Sequence, residues 1–143
     1  SAARIMKRFI GHRATTGYRL PDRFIAWTIG VVWIYQGLVP KIIMQHEDEQ
    51  YIARLLGVPA DWLQCFVYAA GAAEMVWGMI FIAAYRFNIT VWLNIAAIGA
   101  LFIMVACAAP YYLTSAFNGV TFNLCLLLLT LQLWHPTRPH TGQ

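Results

Sequence analysis

The chain has 143 residues, 60% of them hydrophobic and only 11% charged, and its mean hydropathy is positive. A water-soluble domain of this size cannot hide that much apolar surface, so composition excludes a soluble globular fold. The formal charge of +4 does not point to nucleic acid as a partner, because six of the ten Lys and Arg residues lie within the first 23 positions, ahead of the first apolar run.

Those six are Arg4, Lys7, Arg8, Arg13, Arg19 and Arg23. Residues 1–23 therefore read as a basic segment on the cytoplasmic membrane surface, which anchors or orients the chain. Residues 4–13 set Ile5, Met6, Phe9 and Ile10 among the basic residues, a pattern that suits a short helix lying on the membrane, or no fixed structure. The segment lacks the apolar core and cleavage site of a secretory signal, although its acid-poor composition would also suit part of an organellar presequence.

Four apolar runs follow, at about residues 24–43, 63–85, 89–109 and 119–134, with a polar tail at 136–143. Each is continuous rather than alternating, which favours helices, since lipid offers no partners for exposed backbone groups. The expected fold is an all-α integral membrane protein, a four-transmembrane-helix bundle filling residues 24–135. Between the first two runs lies the acidic loop with Glu47, Asp48 and Glu49, and a short surface helix is expected over residues 49–56, ended by Gly57 and Pro59. Asp61 and Asn88 are the expected N-caps of the second and third spans. Four spans put both termini on one side, with eight basic residues there against Lys41 and Arg54 on the other, so both termini are expected in the cytoplasm.

Glu74 is the one acid inside an apolar run. Such a carboxyl normally faces a helix interface or a polar cavity. Gly71, Glu74 and Gly78 fall on one helical face, as do Trp33, Gln36, Gly37 and Pro40, so Gly71, Gly78 and Gly37 are the expected helix-packing positions. Counting from the cytoplasmic boundary at 1.5 Å per residue puts Glu74 at about 13 Å, Gln36 at about 18 Å, Lys41 and Asn123 at about 24 to 26 Å and Asn94 at about 9 Å. Gln36 is then the nearest polar candidate for Glu74, with Lys41 and Asn123 on the outward route and Asn94 on the inward one. Two readings remain open: Glu74 glues helices together, or these five residues line a ligand pocket or proton path. No catalytic residue stands out.

His12, His46, His135 and His140 all lie outside or at the ends of the spans, which argues against bis-histidine haem ligation at membrane depth. The run after His46 reads as solvated charge rather than a metal site. Cys65, Cys107 and Cys125 form no C-x-x-C motif; a Cys65–Cys107 bridge is conceivable, and small apolar filler is the plainer role. Trp27, Trp62 and Trp134 suit interfacial anchors, while Trp33 and Trp77 lie deeper and face either a pocket or lipid.

The string WIYQGLVPKI at residues 33–42 resembles the first-helix signature of the DoxX-like membrane proteins. AGAAEMVWG at 70–78 is similar to their second helix, and FNGVTFNL at 117–124 to the start of their fourth. The resemblance implies a small four-helix membrane protein acting as a non-catalytic accessory subunit of a redox-linked complex, with bound quinone or lipid as the cofactor to expect and no covalent one evident. The alternatives are a quinone-reactive oxidoreductase subunit and a small-solute or proton carrier. Membrane lipid and protein partners in a complex are expected, in a bacterial inner membrane or, alternatively, an organellar one.

Overall fold

A computed structural model describes residues 20–114 and 119–134. The expectations for the basic segment before residue 20 and for the polar tail lie outside the described residues. All regular structure among the described residues is helical.

Helix α1 (Asp22–Gln36) runs on without a break into seven residues of π-helix, Gly37–Ile43. Pro40 explains the wider turn. It brings no N–H, and its ring would crowd the carbonyl four residues back in an ordinary α-helix. The backbone opens to a longer spacing, with Met44 N–H donating to Val39 O at 2.8 Å and His46 N–H to Pro40 O at 2.9 Å.

The acidic run opens helix α2 (Glu47–Leu55), where Glu47, Asp48 and Glu49 occupy the first turn and Arg54 the last. That arrangement complements the helix dipole at both ends. Gly57 ends the helix at φ +86, with Gly57 N–H bonded to Arg54 O and Val58 N–H to Ala53 O. This is a Schellman motif, and Val58 packs with Ala53 against Leu63 and Val67. The motif turns the chain into helix α3 and holds α2 against its start.

Helix α3 (Leu63–Ala84) follows a short turn at Ala60–Trp62; helix α4 covers Asn88–Ala108 and helix α5 Gly119–Leu133. Asp61 and Asn88 are not the caps that their residue types suggest. Trp62 and Phe87 hold those positions, with no side-chain capping bond at either. The preceding turns satisfy the first amides instead, through Trp62 N–H to Pro59 O and Thr90 N–H to Phe87 O. Three stretches, Asp22–Ile43, Ala60–Ala84 and Asn88–Ala108, are long and apolar enough to cross a membrane; α5 has a shorter apolar stretch, Thr121–Leu133.

α1 and α3 pack antiparallel through two pairs of glycines. A Cβ added at Gly71 would sit 2.7 Å from Gly37 O, and one at Gly78 would sit 2.5 Å from Gly30 O. The reverse additions collide with the carbonyls of Gly71 and Gly78. Backbone meets backbone at both points, a spacing that only a missing side chain permits. Gly30 belongs to this set because it lies seven residues before Gly37, on the same face.

The apolar core lies toward the Asp22 end of α1. There Ile25, Ile29, Phe81, Val91, Ile98, Leu126 and Leu133 close around one another. The other end of the bundle is hollow.

Candidate functional site

A polar knot sits inside this core, with Val91 and Ile98 on either side of Asn94 along α4 and Leu126 and Leu133 on either side of Thr130 along α5. Asn94 is wholly buried. Its Oδ1 accepts from Trp33 Nε1 at 2.8 Å and from Trp77 Nε1 at 2.9 Å, and its Nδ2 donates to Thr130 Oγ1 at 2.9 Å. Thr130 in turn donates to Leu126 O at 2.7 Å. One asparagine thereby joins α1, α3, α4 and α5. Both deep tryptophans face this knot. Thr130 is a partner that the sequence did not single out, because a threonine in a leucine run reads as a neutral helix residue.

Beyond the knot lies a cavity of about 670 Å³. Gln36, Lys41, Glu74 and Asn123 all line it, while Asn94 does not. Apolar side chains such as Phe66, Leu101 and Phe102 form most of the wall, and α2 contributes Asp48, Glu49 and Ile52. A volume of this order suits a small organic ligand, and apolar walls with a few convergent polar groups are what such ligands need.

Lys41 is the centre of charge. Its Nζ lies 3.0 Å from Glu49 Oε1 and 3.0 Å from Glu74 Oε2. One ammonium thus bridges an acid of the membrane helix α3 and an acid of the covering helix α2. The contact with Glu49 is also a hydrogen bond, and that with Glu74 is an ion pair at the same distance. Glu74 Oε2 is shielded from solvent and faces the ammonium.

The partner of Glu74 is therefore Lys41 rather than Gln36, despite the separation in depth that counting along the chain gives. Side chains lean toward the N-terminus of their own helix. In an antiparallel pair Lys41 leans back toward the middle of the bundle and Glu74 leans toward the cavity, so the two heads meet. The π-turns add to this by carrying Lys41 onto the α3 face, where its Cβ lies beside Gly71.

Glu49 of the acidic run belongs to the site, while Glu47 and Asp48 are exposed, as a solvated charge run would be. Besides Glu49 on Lys41, Tyr112 hydroxyl donates to Asp48 Oδ1 at 2.6 Å, tying α2 to the turn after α4. Burial, followed by the hydrogen bond and charge of Asp48, pushes the Tyr112 hydroxyl pKa upward. His46 Nδ1 stands 3.7 Å from Asp48. Cys65, Cys107 and Cys125 are free thiols on exposed faces, so Cys65 and Cys107 are not bridged. Trp27, Trp62 and Trp134 are exposed near helix ends.

Apolar spanning helices around a polar-cornered cavity define a small helical membrane protein with a ligand-sized pocket. The chain belongs to the DoxX-like family, whose model matches residues 30–131. That stretch holds the glycine pairs, the Asn94 knot and all the residues lining the cavity. No curated protein and no solved structure matches the chain.

Proposed function

We propose that this chain holds the headgroup of a lipid-soluble, quinone-type molecule in the cavity around Glu74. It does so as a non-catalytic accessory subunit of a larger, redox-linked membrane complex. The observation that carries this reading is the combination of an apolar-walled cavity of about 670 Å³ with a Lys41-bridged pair of acids at its polar corner. An isolated ion pair for packing would need no cavity beside it, and a charged group in a membrane helix is costly unless it serves a polar site. The accessory role draws its support from the family resemblance. The chain crosses a bacterial inner membrane four times in this reading, with both termini cytoplasmic, and α2 covers the pocket on the far side.

Mild detergent extraction followed by mass spectrometry of proteins and small molecules tests both halves. The expected result is co-purification with other chains and retention of a quinone, with the quinone lost from a Lys41→Met variant that still folds. A solitary monomer that carries no quinone contradicts the proposal.

A second reading has its own support in the carboxylate–ammonium–carboxylate arrangement, which is suited to passing protons. In it, the chain is the quinone-reactive subunit of an oxidoreductase, and Glu74 exchanges protons with the ring. Unchanged coupled turnover in Glu74→Gln would remove that reading and leave the first intact.

A further inference from the structure

The packed core and the Trp77–Asn94 bond close the cavity below, and the glycine pairs seal the seam between α1 and α3. Helix α2 roofs it, with Ala53 buried against Leu63 and Val67 and with the Lys41–Glu49 and Tyr112–Asp48 ties on its polar side. The seam between α3 and α4 differs. A tight turn at residues 85–87 joins these two helices, yet they pack together only sparsely.

Phe66, Ala70, Ala73 and Trp77 recur at steps of three and four residues, so they share one edge of α3. Trp77 donates to Asn94, which makes this the edge beside α4. By the same spacing Asn94, Ala97, Leu101 and Met104 form the facing edge of α4. The helices run antiparallel, so Ala70 and Ala73 fall at the level of Leu101 and Ala97. The cavity reaches this seam, because Phe66, Ala70, Leu101 and Met104 all line it. The seam also reaches the outside of the bundle, since Ala73 is exposed and Phe66, though it lines the cavity, is 43% exposed. Between Trp77 and Phe66, α3 offers only methyl groups to close the gap.

We infer that the cavity opens sideways into the bilayer through a window between α3 and α4, and that its ligand enters there from the lipid. The inference rests on the reading of the ligand as lipid-soluble and adds the route by which it arrives. A molecule dissolved in lipid reaches this window without passing through water or displacing α2. Its headgroup moves in toward Lys41 and Glu74, while its hydrocarbon chain need not enter the cavity. Ala73 sets the width of the opening.

The test follows association of decyl-ubiquinone with the purified full chain in nanodiscs, read by quenching of tryptophan fluorescence after rapid mixing. Ala73→Phe narrows the window from outside the cavity and is expected to slow association about tenfold, a barrier increase of about 1.4 kcal/mol. Ala72→Phe, also exposed but about 100° round the same helix, leaves the rate unchanged. A second readout needs no quinone. Ala70→Cys, in a chain that carries Cys65→Ala, Cys107→Ala and Cys125→Ala, is treated with pyrene maleimide dissolved in the bilayer or with a charged, water-soluble methanethiosulfonate. The lipid-dissolved reagent is expected to label residue 70 faster than the charged one, and Ala73→Phe to slow that labelling. Faster labelling by the charged reagent, or rates unchanged by Ala73→Phe, overturns the window and leaves the quinone reading standing. If decyl-ubiquinone does not bind while the labelling follows expectation, the quinone reading falls and the window stands.

Discussion

Replacing Asn94 with leucine keeps the branched shape but enlarges the side chain and strands two indole N–H groups in an apolar interior, while the Thr130 hydroxyl keeps its bond to Leu126 O. The expected loss is about 2 to 4 kcal/mol of stability, since buried polar groups without partners cost more than the bonds themselves contribute. Thermal unfolding in detergent reads it as a clear fall in Tm, and Thr130→Val should show a smaller fall. At Lys41 the sign depends on what remains. Lys41→Met leaves two carboxylates facing each other and should cost about 3 kcal/mol, while the Lys41→Met/Glu74→Gln double variant regains most of it. Stability of the double variant no better than that of the single one would mean that the pair is not coupled. Glu74 was legible in the sequence because an acid in an apolar run is conspicuous. Its partner was not, since counting residues locates backbones and leaves out the lean of long side chains. Asn94 was legible as polar but not as a knot, because a tryptophan at depth does not disclose where its N–H points.

Among the elements, the α1–α3 pair depends on glycine and the rest of the bundle on ordinary packing. Gly71→Leu must push α1 away from α3 and should cost several kcal/mol, on the order of a severe overpacking. Gly99 has nothing within 4 Å of an added Cβ, so Gly99→Ala should be neutral or slightly stabilising by helix propensity. Similar Tm shifts in the two variants would contradict the close approach. The Gly37–Gly71 and Gly78 positions could be read from helical spacing alone. Helix α2 as a cover could not, because three consecutive acids look the same whether they meet water or a buried lysine. Its tether makes a separate prediction: Tyr112→Phe should raise hydrogen exchange in α2 while leaving α4 protected. The Tyr112 hydroxyl pKa is raised by folding, so its contribution is fully present below the unfolded value of about 10. It fades only as pH rises through the higher folded value. Loosening of α2 at about pH 6 to 8 would contradict a controlling role for this tether.

At the scale of the molecule, one half of the described residues is packed around the Asn94 knot and the other half is hollow. That division gives the cavity a rigid floor, walls from the spanning helices and a cover from α2. The spans follow from continuous apolar runs and needed no structure to locate. The cavity depends on which faces meet across the bundle, information that a single sequence carries only where small or charged residues mark a face. The central claim is that this hollow half binds a quinone-type headgroup. Its most direct test is labelling of the membrane-embedded chain with a photoreactive quinone, followed by peptide mapping. The expected result is label concentrated near Lys41, Phe66 to Glu74 and Leu101 to Val105, and displaced by excess unlabelled quinone. Label spread over lipid-facing positions such as Trp27 and Ile103, with no displacement, would contradict it.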